Sequence, residues 1–369
     1  MRSVRNDSLT MRKPIDPGLS VYFDAARFLA ALIVVLHHVW PLIMPNLPIP
    51  WPGHEAVVVF FVLSGYVIAY AASDPTVSLR TYAEHRTARI LSVAIPALLL
   101  AAAVAPFAAG PDIQYAGDVR MGAEQFWIAS VINGLFLGQS LGMNISPPLN
   151  EPFWSLCYEV WYYVIFAAWM YSSKRWRIAL TVLALAVAGL KIVMLLPVWL
   201  LGVWLYHRMP VLTQRQARIL FAVSALAAFA FFWNGTSQAI RSLMQAASPD
   251  FIDSLKASNR FAGDMILGVF VAANFAAVAS LGSSMRPLIG IKRQVGYASS
   301  FTLSAYLYHM PLTVLIWNGM DVHDPVGFLA ILASLTIALG YATERRVKLA
   351  RRTFRKLLGI RVLKGTQTT

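Results

Sequence analysis

VYFDAARFLAALIVVLHHVW, residues 21–40, decides the fold. A helix needs about 20 mainly apolar residues to cross hydrocarbon, and this stretch supplies them. Four ionisable residues nevertheless lie inside it: Asp24, Arg27, His37 and His38. Each costs on the order of 3 kcal/mol at the centre of a span, so each is a functional hypothesis in its own right. At 100° per residue, the eleven steps from Arg27 to His38 leave an offset of about 20°, and Asp24 lies about 60° from Arg27. Asp24, Arg27 and His38 therefore form one stripe, with Arg27 and His38 about 16 Å apart along the axis, while His37 points about 80° away. The bland alternative is that Asp24 and Arg27 anchor the helix at the interface and His38 is a buried, hydrogen-bonded histidine.

The rest of the chain is in keeping with that stretch. Of 369 residues, 58% are apolar and 13% charged, far more apolar surface than a water-soluble fold hides. A formal charge of +14 would suggest nucleic acid in a soluble protein, but the basic residues sit between hydrophobic runs, so the expected partner is the lipid bilayer and not nucleic acid. One cysteine, Cys157, excludes an intramolecular disulfide framework and a thiolate metal cluster, and no metal site is expected. Residues 1–20 are polar, and the run after them is too long for the core of a cleaved signal, so it reads as an uncleaved first span.

Eleven apolar runs are apparent, near 21–43, 55–72, 88–109, 126–141, 153–172, 177–191, 193–208, 217–233, 261–281, 297–319 and 326–344. The positive-inside rule sorts them. Arg2, Arg5, Arg12 and Lys13 put the N-terminus in the cytoplasm, whereas the connection from Met44 to His54 has four prolines and no Lys or Arg. Arg80, Arg86 and Arg89 return the chain inside; Asp112, Asp118 and Glu124 mark the next connection as external. Both ends of 126–141 are external by the same rule, which makes it a re-entrant or interfacial helix. About ten spans remain, with both termini cytoplasmic and a basic tail at 346–369. On this layout 25 of the 31 Lys and Arg residues are inside, 5 are outside and Arg27 lies in the first span. The predicted fold is all-α, one polytopic transmembrane bundle over 21–345, in the plasma membrane.

Within the bundle, EPFWSLCYEVWYY carries Glu159 about 9 Å below Phe153, at a depth where it could meet His38. Ser155, Tyr162 and Tyr163 share its helical face at i−4, i+3 and i+4, giving the carboxylate hydroxyl partners; a structural carboxylate is the alternative. Arg86 and Arg89 form an i, i+3 pair suited to bidentate phosphate contacts, though anchoring at the interface fits the charge equally well. His309 lies in SAYLYHMPL, where Pro311 must loosen the helix ladder; it either lines a cavity or hydrogen-bonds across helices. There is no phosphate-loop, His-Glu-x-x-His or Gly-x-Ser-x-Gly motif.

In order and spacing these segments resemble the acyltransferase family 3 membrane proteins. The opening span has that family's basic residue and histidine with ten residues between them, Arg27 and His38. GHEAVVVFFVLSGYVI is similar to its second span, RTARI to its Arg-x-x-Arg, WSLCYEVWYY to its WSL…EE.FY segment and SAYLYHMPL to its late YLLH.P pattern. Val160 replaces the second glutamate many members carry, so Glu159 acts alone. The resemblance implies transfer of an acyl group, foremost acetyl, from cytoplasmic acyl-CoA to a hydroxyl of a saccharide or glycolipid, such as lipopolysaccharide or exopolysaccharide. On this reading Arg27, Arg86 and Arg89 bind the donor, His38 is the base, Glu159 orients it, and Asp24, Ser155, Tyr162, Tyr163 and His309 line the cavity. The rival class is a transporter or flippase for a glycan or lipid-linked sugar, since intramembrane Arg, His and Glu also mark translocation paths.

Overall fold

The computed structural model describes residues 15–109 and 123–357, so the acidic connection after Gly110 and the ends of both terminal segments lie outside the described residues. Sixteen α-helices and no strand occur among the described residues. They are α1 (Pro17–Ile43), α2 (Gly53–Ala72), α3 (Leu79–Val104), α4 (Ala123–Gly134), α5 (Phe153–Tyr171), α6 (Lys174–Ala188), α7 (Leu190–His207) and α8 (Gln214–Trp233). Then follow α9 (Thr236–Ala247), α10 (Pro249–Ser254), α11 (Phe261–Leu281), α12 (Arg286–Ile289), α13 (Lys292–Ser299), α14 (Thr302–Val314), α15 (Pro325–Ala342) and α16 (Val347–Leu357).

Local chemistry sets the ends. Asp16 accepts from the Gly18 and Leu19 amides at 2.8 and 3.2 Å and Pro17 opens the first turn, which starts α1 four residues before the apolar run. Thr213 and Gln216 close a capping box at α8, and Asp324 caps α15 through the Gly327 amide at 2.6 Å.

Nine of the ten expected spans fall mainly on one helix each, whereas 297–319 is divided among the end of α13, α14 and a π-helical turn. Among the described residues, seven helices are long and apolar enough to cross a membrane: α1, α2, α3, α7, α8, α11 and α15. The other three fall short of that standard. α5 has 19 residues interrupted by Glu159 and many aromatic hydroxyls, α6 has 15, and α14 has 13 before a π-helical turn at Leu315–Gly319. The eleventh run, expected as a helix over 126–141, is helical only to Gly134. Its 12 residues span about 18 Å, less than a crossing. Beyond it the chain turns through positive φ at Phe136 (58°) and Leu141 (51°), and buried Lys191 bonds the Gln139 side chain at 3.5 Å and the Met143 carbonyl.

The core is organised around α2, which packs on α1, α7, α11 and α5. Its crossing with α7 brings backbone against backbone. A Cβ on Gly65 would stand 2.0 Å from the Trp199 carbonyl oxygen, and one on Gly202 1.9 Å from the Val62 carbonyl oxygen. Small residues allow that approach, and dispersion contacts then replace the hydrophobic drive that lipid cannot provide. The crossing fixes the rotation of α2 and turns Ser64 toward α5.

Candidate active site

Glu159 lies in the second turn of α5. Ser64 Oγ donates to its Oε1 at 2.6 Å, the Tyr163 hydroxyl donates to the same oxygen, and Trp199 Nε1 donates to Ser64 Oγ at 3.2 Å. Tyr163 is the expected i+4 partner; Ser64 and Trp199 come from α2 and α7 through the glycine crossing. Oε2 accepts no hydrogen bond among the described residues, and Glu159 lines a cavity of about 90 Å³. Ser155 and Tyr306 form one wall, their hydroxyls 2.6 Å apart, with the Tyr306 hydroxyl donating to the Pro152 carbonyl at 3.0 Å.

Arg27, Arg86 and Arg89 line the same cavity at its basic end, and all three also line a wider vestibule of about 520 Å³ beyond it. Asp24 pairs with Arg27 at 3.3 Å, so it acts on the cavity through the guanidinium rather than lining it. The Arg86 guanidinium lies 5.9 Å from the ring centres of both Tyr82 and Tyr163, a cation-π arrangement that directs the side chain into the bundle. Arg345 and Arg351 join the vestibule from the chain after α15. By the positive-inside rule those two count only as basic residues at the cytoplasmic C-terminal end, and Tyr306 lies inside the SAYLYHMPL block without a signal of its own.

Tyr162 is a correction. It is fully buried, donates to the Ile192 carbonyl at 3.1 Å and tilts against Trp199, away from the cavity. It lies about 100° round the helix from Tyr163, and that rotation carries it from the cavity wall into the seam between α5 and α7.

The largest departure concerns His38. Its ring partner is His309, with His38 Nδ1 3.3 Å from His309 Nε2, and the expected contact with Glu159 is not formed. Equal depth on two helices does not fix which way they face: α1 packs on α14, whereas Glu159 is engaged from α2. His38 Nδ1 lies 2.8 Å from the Val34 carbonyl, and His309 Nδ1 lies 3.0 Å from the Ala305 carbonyl. Carbonyls only accept, so each neutral ring carries its proton on Nδ1. His309 Nε2 is then an acceptor for His38 Nδ1–H, and the basic lone pair of His38 is on Nε2. His309 is fully buried one turn beyond Tyr306 and does not line the cavity itself. Pro311 holds this region as anticipated. It removes the amide that would bond the Leu307 carbonyl, and Asn150 Nδ2 donates to that carbonyl instead, at 2.8 Å.

A groove of about 810 Å³ is lined by His37, Trp51, Glu55, Trp233 and Arg260, among others. His37 donates from Nδ1 to the Trp51 carbonyl at 2.8 Å, and its ring centre is 5.0 Å from that of His38. Glu55 and Arg260 pair at 3.5 Å across the groove.

No curated protein and no solved structure matches the chain. A family model described as an acyltransferase domain does, over residues 20–345, which takes in α2 to α15, nearly all of α1 and every residue of the two cavities and the histidine pair except Val347 and Arg351. The chain belongs to acyltransferase family 3.

Proposed function

We propose that the protein transfers an acyl group, foremost acetyl, from acyl-CoA to a hydroxyl of a saccharide or lipid-linked saccharide, with the basic end of the bundle in the cytoplasm of a plasma-membrane protein. One observation carries this reading. The His38–His309 pair adjoins both spaces without lining either: Tyr306, one turn before His309, lines the arginine-ended cavity, and His37, next to His38, lines the polar, aromatic groove. Donor and acceptor enter from opposite faces and meet at the histidines.

Arg86 and Arg89 hold the donor's pyrophosphate, since guanidinium forks match phosphate oxygens and stay charged. The pantetheine arm, which offers amide N–H groups, runs along the cavity past Glu159, whose Oε2 accepts from one of them. Ser64 and Tyr163 fix that carboxylate so the contact is made without reorganisation. In the groove, Trp51 and Trp233 offer faces to a sugar ring while Glu55 and Arg260 exchange hydrogen bonds with its hydroxyls.

His38 Nε2 takes the proton of the acceptor hydroxyl as its oxygen attacks the thioester carbonyl. The tetrahedral intermediate collapses with loss of the thiolate, which leaves with the proton His38 acquired. Ester and coenzyme A thiol are the products, so protons and electrons balance without a further reactant. While His38 is an imidazolium, its Nδ1–H donates to the Val34 carbonyl and to His309 Nε2, the orienting role an acid fills in a catalytic triad. His309 is the positioning residue; Glu159 belongs to the donor path.

The test is thiol release. Purified protein in lipid nanodiscs, given acetyl-CoA and candidate acceptor saccharides, should release coenzyme A only when an acceptor is present. Uptake of a labelled saccharide into proteoliposomes carrying the protein, without thiol release, would replace the acyltransferase reading with a translocation path.

A further inference from the structure

The vestibule at the basic end is over-supplied with positive charge. Arg86, Arg89, Arg345 and Arg351 line it, and none has a carboxylate ion-pair partner among the described residues. Glu344, its one acidic lining residue, is already engaged: Oε1 accepts from the Leu303 amide at 3.3 Å, and Oε2 from the Ser304 amide and hydroxyl at 2.9 and 2.8 Å. Arg86 Nε and Arg351 Nε are buried without a hydrogen-bond partner. Buried donors are nearly always paired, so these two call for an acceptor. Unpaired guanidinium groups converging on one space repel one another unless an anion joins them.

The arginines form two tiers. Arg86 and Arg89 line both the inner cavity and the vestibule, at the join between them; Arg345 and Arg351 line the vestibule only. The Arg345 guanidinium is held among aromatic rings, 4.8 Å from the centre of Tyr341 and 5.1 Å from that of Tyr297. Arg351 is carried by α16, which packs on α3, the helix of the inner tier.

Two separated tiers fit a ligand with two separated phosphate groups. We propose that Arg345 and Arg351 form a subsite for the 3′-phosphate of the coenzyme A donor, while the inner tier takes its pyrophosphate. This rests on the acyl-CoA reading above and adds α16 to the donor site. A phosphomonoester carries a charge of about −2 at neutral pH and three acceptor oxygens, enough for two arginine forks. An anionic phospholipid headgroup presents the same chemistry, and the experiment distinguishes the two sources.

Coenzyme A and dephospho-coenzyme A are titrated calorimetrically into the full-length protein in phosphatidylcholine nanodiscs, and again with phosphatidylglycerol added. Wild type should bind coenzyme A at least about ten-fold tighter than the dephospho form in both lipids. Arg351→Gln and Arg345→Gln should each remove most of that preference while leaving dephospho-coenzyme A affinity within about two-fold of wild type. Arg351→Gln leaves the aromatic cluster untouched, so it remains informative if Arg345→Gln fails to fold. Equal wild-type affinities for the two ligands overturn the subsite, and equal affinities that both weaken on adding phosphatidylglycerol assign it to a lipid headgroup. Binding of neither ligand overturns the acyl-CoA reading itself.

Discussion

Replacing His309 by alanine removes the acceptor that His38 Nδ1–H meets at 3.3 Å, leaving the Val34 carbonyl at 2.8 Å as its remaining partner in the pair described here. The consequence falls on the state in which His38 carries the substrate's proton. A hydrogen bond to a charged group contributes about 1.5–3 kcal/mol, and the separation here is longer than the usual N–H optimum, so the low end applies. About 1.5 kcal/mol in the transition state is roughly a ten-fold loss in kcat. The donor's KM should be unchanged, because His309 does not line the cavity. His309→Gln, whose side-chain carbonyl can accept from His38, should recover part of the loss. Steady-state thiol release with a saturating acceptor measures all three proteins. A His309→Ala enzyme with wild-type kcat would refute the pair, as would glutamine and alanine variants that are equally slow with a raised donor KM.

Gly65→Ala should lower the thermal unfolding midpoint, because a methyl 2.0 Å from the Trp199 carbonyl must push α2 and α7 apart; overpacking of that kind costs about 1–3 kcal/mol, and an unchanged midpoint would show that the crossing yields freely. Glu159→Gln keeps the shape of the carboxylate and removes its charge, so it should raise the donor's KM more than it lowers kcat; a lower kcat at constant KM would return Glu159 to proton chemistry. Reporter fusions should place the connection after Asp321 outside the cell and the one after Arg208 in the cytoplasm, and the reverse pattern would invert the topology.

Much of the site is legible from helical spacing. The Asp24–Arg27 pair and the shared face of Arg86 and Arg89 follow from residues three apart, and Tyr163 reaches Glu159 at i+4. Periodicity fixes direction on one helix but not which neighbour that face will meet. His38 and His309 are 271 residues apart, and only the packing of α1 on α14 joins them. The glycines that seat Ser64 against Glu159 are equally silent until two backbones cross. Arg345 and Arg351 were hidden for another reason: an interfacial anchor and a phosphate ligand are the same residue type at the same end of a span.

The central claim is that His38 on α1 is the base and that the arginines are the donor site, two functions that separate under mutation. His38→Ala, shown to be folded and assayed side by side for coenzyme A binding and for acceptor-dependent thiol release, tests it most directly. Binding should match wild type while transfer falls by about 10² to 10⁴, the usual loss for a general base. A His38→Ala protein that binds the donor and still acylates its acceptor at a near-normal rate would contradict the account.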